Sequence, residues 1–95
     1  MNEWKFEYSA TLTKKLKKLK KKDLQQFRII MKKKDDVKSK VVLNPDHFKN
    51  LRYALSEFKR VHIDTHFVLV FTINKNSKVV RFVDYDHHDN IYARK

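Results

Sequence analysis

Histidine is the residue best suited to chemistry in this chain, and there are five: His47, His62, His66, His87 and His88. An imidazole titrates close enough to neutral pH to give or take a proton, and it also ligates transition metals. A lone histidine is more often a plain surface or hydrogen-bonded residue. Here four of the five fall in or just after predicted strands, and a small sheet can bring His62, His66 and His88 to one place. Two chemistries follow. One is metal binding, with His62 and His66 as nitrogen ligands and Asp86 or Asp89 as oxygen ligands. The His-x-x-x-His pair falls in a hairpin, however, and not on a helix, where that spacing would align the ligands. No metal or other cofactor is therefore expected. The second is acid–base chemistry on RNA. One imidazole takes the 2′-hydroxyl proton, another protonates the leaving 5′-oxygen, and Lys59 and Arg60 oppose the charge that builds on the phosphate.

The stretch that must position these groups is Lys59-Arg60-Val61-His62-Ile63-Asp64-Thr65-His66-Phe67-Val68-Leu69-Val70-Phe71. It reads as two strands broken at Asp64-Thr65-His66. Val61 and Ile63 share one face of the first strand, Arg60 and His62 the other. The apolar run Phe67 to Ile73 has the composition of a central strand covered on both faces. A strand before it is expected from about Leu55 to Ile63, and one after it from Lys78 to Asp84. Asn74-Lys75-Asn76-Ser77 makes the intervening turn without glycine.

Upstream, Trp4 to Tyr8 alternates apolar and charged, as a half-buried strand does. Ser9 is a good N-cap for a helix with Leu12, Leu16 and Leu19 on one stripe. Asp23 can cap a second helix with the stripe Leu24, Phe27, Ile30 and Met31. Lys32 to Lys40 shows no apolar period and reads as a frayed end and loop. The predicted fold is α+β with the order βααβββ: a helical hairpin on one face of a small, mainly antiparallel four-stranded sheet. The other face is expected to be open and edged by Arg60, His62 and Arg81.

Ninety-five residues suit one domain spanning 1–95. The chain has no cysteine, which excludes disulfides, thiolate sites and cysteine nucleophiles. No run is long and apolar enough for a bilayer, and Met1-Asn2-Glu3-Trp4 lacks the plan of a signal peptide, so a cytoplasmic protein with no membrane partner is expected. The net charge of +12 favours a polyanionic partner, with nucleic acid first. Charge alone does not separate an enzyme from a binding protein or a structural basic protein. The histidines do.

Asn44-Pro45, Lys49-Asn50-Leu51-Arg52, Phe58-Lys59-Arg60-Val61-His62-Ile63, Phe67-Val68-Leu69-Val70-Phe71 and the closing His-Asp-Asn-Ile-Tyr resemble the RelE/ParE toxin superfamily, and within it the YafQ type. The resemblance spans about Phe6 to Tyr92 and is most specific in the second half. It implies a type II toxin with a cognate antitoxin, one that enters the ribosomal A site and cuts mRNA without metal. The branch's catalytic histidines match His62 and His88, and a catalytic carboxylate of the branch falls on His66. A further branch histidine falls near Lys49, with His47 two residues away. The RelE C-terminal tyrosine falls on Tyr92, whereas the RelE arginines fall on Val68 and Asp86. Those two losses favour a histidine mechanism over an arginine one. Lys49, Lys59, Arg60, Arg52 and Arg81 are the expected RNA contacts. The alternative is a member of the same fold without catalysis, binding nucleic acid or inhibiting gyrase.

Overall fold

The computed structural model describes residues 3–51 and 57–92. Arg52 and the expected start of the second strand at Leu55 lie outside the described residues. The elements are β1 (Lys5–Tyr8), α1 (Ala10–Lys22), α2 (Leu24–Leu43), β2 (Lys59–His62), β3 (Phe67–Asn74), β4 (Val79–His87) and α3 (His88–Tyr92). The sheet order is β1-β4-β3-β2, with β1 parallel to β4 and the other pairs antiparallel. The expected βααβββ plan is present, with a short helix added at its end.

Ser9 joins strand to helix. Its hydroxyl oxygen accepts from the Leu12 N–H at 3.0 Å and donates to the Val83 carbonyl. A cap of this kind contributes about 1 kcal/mol, and this one also fastens α1 to β4. Val70 faces Asp84 while Phe71 faces Phe82, so Val83 is the extra residue of a bulge. A single residue, Asp23, separates the two helices and caps the second through Gln26 N–H at 3.0 Å.

The second helix departs from expectation in two ways. Leu24 is 44% exposed and lies off the core stripe. The helix also does not fray at Lys32 but runs on to Leu43. Its buried residues are Ile30, Val37 and Val41, at helical spacing, and the half-buried Lys34 fills the turn between the first two. The Lys34 side chain is only 13% exposed, and its ammonium lies 5.6 Å from the Tyr8 ring centre. Lys38 sits 4.8 Å from the Phe6 ring in the same way. The aliphatic stems cover the sheet while the charges rest on ring faces, which hides the stripe from a hydropathy pattern.

One core lies between helices and sheet: Leu12, Ile30, Val37 and Val41 against Leu69, Phe71, Val80, Phe82 and Tyr85. The opposite face is not open, as the sequence suggests, but carries a second, smaller core. Val68 and Val70 are buried there beneath Leu51, Ile91 and Phe58. Ile91 belongs to α3, so this small core is what docks the C-terminal helix. Strand β4 also runs three residues beyond the expected Asp84, as far as His87. The turn before it is built as expected: Asn74 Oδ1 accepts from Asn76 and Ser77 N–H, and Lys78 takes the left-handed φ of 57°.

Candidate active site

The β2–β3 turn is shaped by one carboxylate. Asp64 Oδ1 accepts from His66 N–H at 2.8 Å and Phe67 N–H at 2.9 Å. Its Oδ2 accepts from the Gln26 amide of α2, which also donates to the Tyr85 hydroxyl. The His66 N–H bond, foremost, holds the Asp64 carboxyl below its usual range; burial opposes it, and the Phe67 N–H and Gln26 bonds help to keep the net shift downward. The turn that carries His66 is thus tied to a helix and to β4.

The second half of the site is the junction of β4 and α3. Asp86 Oδ1 accepts from His87 N–H and from the Asn90 side chain, and its Oδ2 lies 3.3 Å from Lys15 Nζ. Burial raises the Asp86 pKa, but the Asn90 and His87 hydrogen bonds and Lys15 more than offset this, and the net shift is downward. Beyond Tyr8, β1 no longer covers the outer edge of β4. The Tyr85 carbonyl there accepts from Lys15 Nζ at 3.0 Å, and the same ammonium meets buried Asp84 at 2.8 Å.

These two halves meet. His88 N–H donates to the His66 carbonyl at 2.8 Å. The His66 ring stacks on His87 at 5.7 Å and lies 6.3 Å from His88, and His87 and His88 are 4.7 Å apart. One ring nitrogen from each of the three comes within 4.8 Å of the others. The neighbouring carboxylate bears on tautomers. Asp89 Oδ1 lies 2.9 Å from His88 Nδ1, favouring a proton on Nδ1 and a lone pair on Nε2. His87 Nδ1 instead accepts from Asp89 N–H at 3.2 Å.

The expected site residues divide. His66 and His88 come together, and His87 joins them. Alternation along a strand argues against both members of a His-His pair facing one place, but the change from β4 to α3 falls between them. Tyr92 is the last residue of α3. His62 is exposed at the end of β2 and pairs instead with Arg60, whose Nη1 lies 3.2 Å from His62 Nδ1. It stands opposite Val68, which stands opposite Asp86. Two interstrand spacings put His62 about 10 Å from Asp86, backbone to backbone. Lys59 Nζ donates to the Phe48 carbonyl at 2.8 Å and to Asn50, and burial pushes its pKa down. Lys49 is exposed in the loop beside it. Arg81 is not at this end of the sheet. It lies six residues along β4 from His87, about 20 Å, and pairs with Glu7 across the strands. His47 packs on Phe48, which in turn meets Phe71, away from the other histidines.

A groove of about 230 Å³ adjoins the histidines, lined by Lys15, Lys18, Leu19 and Lys22 of α1 and by Phe67, Tyr85 and Asp86 of the sheet. Phe67 connects the two features, since its ring meets His87 edge-on at 5.5 Å. The lysine periodicity of α1 held this signal: Lys15, Lys18 and Lys22 recur at i, i+3, i+7, beside the leucine stripe. A larger hollow of about 480 Å³ lies at the other end of the sheet, around Glu57 and the 72–76 turn.

No protein-family model matches the sequence. The chain is 50% identical over 92 residues to a protein of Methanocaldococcus jannaschii described as "Putative toxin RelE4", covering 97% of this chain and 94% of that one. Among solved structures, the YoeB/ParE toxin from Agrobacterium tumefaciens superposes with a TM-score of 0.68 at 10% identity, covering 88% of this chain and 98% of that one. The YafQ structure of the DinJ-YafQ toxin-antitoxin complex of E. coli gives 0.60 at 16% identity, covering 94% and 97%.

Proposed function

Because the chain belongs to the RelE/ParE toxin superfamily, we propose that it is the toxin of a type II toxin–antitoxin pair and a cytoplasmic, metal-free mRNA endoribonuclease acting at the ribosomal A site. The observation that carries the reading is the meeting of His66 and His88 beside a lysine-lined groove.

The 2′-hydroxyl of the mRNA attacks its own 3′-phosphate, and the bond from phosphorus to the 5′-oxygen breaks. The products are a 2′,3′-cyclic phosphate and a 5′-hydroxyl. His88, oriented by Asp89, takes the 2′-hydroxyl proton on Nε2. His62, protonated, gives a proton to the leaving 5′-oxygen and is left as the neutral imidazole, the form that accepts from Arg60 on Nδ1. Arg60 opposes the charge that develops on the phosphate. His66 and Tyr92 orient the reacting groups. A phosphodiester with its riboses spans the roughly 10 Å from His62 on β2, across β3, to the end of β4. Lys18 and Lys22 hold neighbouring phosphates, with Lys49 on the far margin. So open a site cannot bend RNA into in-line geometry alone, and the ribosome supplies it.

The antitoxin covers the basic groove and competes with RNA. The solved relative bound to its antitoxin supports a partner of this kind. The deciding experiment is cleavage of mRNA on programmed ribosomes by the purified protein in EDTA, with the ends of the products mapped. Cyclic phosphate and 5′-hydroxyl ends are expected. No cleavage with ribosomes present would leave the non-catalytic or gyrase-inhibiting alternative.

A further inference from the structure

We propose that His66, His87 and His88 form a binding site for a single zinc ion, and that zinc held there shuts the nuclease off. The first half stands on geometry alone. The second rests on the endoribonuclease reading above.

The three imidazoles offer one nitrogen each within 4.8 Å of the others. Zinc–nitrogen bonds of about 2.0–2.1 Å in a tetrahedral site place the ligand nitrogens roughly 3.4 Å apart. The rings must therefore close by little more than 1 Å. His66 lies on an exposed turn, and His87 and His88 are each about one-third exposed, so ring rotation meets little packing resistance. Three imidazoles without a thiolate suit zinc or its late-transition neighbours and not magnesium or calcium, which take oxygen. The fourth position is left to water.

The surroundings fit as well. A zinc-bound histidine usually passes its other N–H to a carboxylate, which fixes the ring. Asp89 is placed to do this for two ligands at once. Its Oδ1 lies 2.9 Å from His88 Nδ1 and its Oδ2 3.6 Å from His87 Nδ1. On binding, His87 exchanges its 3.2 Å contact with Asp89 N–H for that carboxylate. Asp64 and Asp86, within two residues of the ligands, offset the positive charge of the chain at this spot. Zinc on His88 occupies the lone pair that proton transfer needs, so the same contact that binds the ion stops the chemistry.

The test is a zinc titration of the purified full chain against a chromophoric chelator, run beside the ribosome cleavage assay. One zinc per chain is expected. His87→Ala should weaken binding beyond the roughly hundredfold ceiling of an outer-sphere change, and Asp89→Asn should weaken it about tenfold or more. Circular dichroism checks that each variant is folded, and His66→Gln stands in if His87→Ala is not. Stoichiometric zinc should inhibit cleavage by the parent, EDTA should restore it, and His87→Ala should cut in the presence of zinc. Zinc that does not bind, or that binds equally well to folded His87→Ala and His66→Gln, overturns the site whatever the nuclease does. Zinc that binds at the trio and leaves cleavage unchanged, or is required for it, overturns the inhibition. A parent that never cleaves in EDTA sinks the nuclease reading, and the titration still decides the metal site.

Discussion

Ile91→Ala should separate the anchoring of α3 from the chemistry that α3 carries. Ile91 is 2% exposed and packs with Val68, Val70 and Leu51 on the sheet face away from the long helices. The substitution deletes three carbons. At about 0.8 kcal/mol each the transfer loss is roughly 2.4 kcal/mol, and the residual cavity brings the total to about 3 kcal/mol. For 95 residues the unfolding entropy is about 0.2 kcal/mol per kelvin, so the melting temperature should drop by about 15 °C. A five-residue helix cannot hold itself together in isolation. With its anchor gone, α3 no longer fixes His88, and cleavage per folded molecule should fall as well. Thermal and urea melts give the first quantity, and ribosome cleavage well below the variant's melting temperature gives the second. Leu43→Ala removes a similar side chain that is 86% exposed, and it should change stability by less than about 0.5 kcal/mol. If Ile91→Ala loses under about 1 kcal/mol, the second core is not a core. If stability falls and cleavage per folded molecule does not, α3 is not what positions the histidine.

His88→Ala should cut mRNA on the order of a hundredfold or more slowly, with ribosome affinity close to that of the parent. Parent-rate cleavage by both His88→Ala and His62→Ala would end the histidine mechanism. RNA affinity should fall steeply with salt, and the double change Lys18→Gln, Lys22→Gln should flatten the log–log slope by about 1.4 if each lysine meets one phosphate of a single strand. An unchanged slope would remove the groove from the RNA path. Asp64 and Asp86 have lowered folded-state pKa values, so their contribution to stability is complete above about pH 4, the unfolded carboxylate range, and is lost as pH falls through the lower folded values. Urea melts from pH 7 to pH 2 should show this loss, and Asp64→Asn should reduce it.

Much of this architecture was legible because local chemistry and tertiary need agree. Ser9 and Asp23 cap as their types suggest, and Asn74 builds a turn without glycine. Two expectations failed, each for its own reason. The extent of α2 was hidden because Lys34 lies in the buried stripe by its stem, and a hydropathy reading counts the ammonium. The open second face was expected because α3 holds too few residues to show a helical period. Ile91 looks like one apolar residue in a polar tail until Val68 and Val70 are seen beneath it.

Of the candidate site, the grouping of His66 with His88 was legible in the sequence, and the part that His87 plays in it was hidden by the strand-to-helix junction. In a continuing strand His87 and His88 would point to opposite faces. His87 does keep the helix-side face, where it meets Phe67. His88 is the first residue of α3, and the backbone turns there, which brings its ring back to 4.7 Å from His87. Asp86 is the residue that makes the turn, through His87 N–H and Asn90, and Lys15 secures Asp86 from α1. Residues from α1, β4 and α3 therefore set the position of one imidazole. The other side of the group depends on Asp64 and Gln26, from the hairpin turn and α2. No single stretch of sequence contains that arrangement, and spacing within one segment could not reveal it.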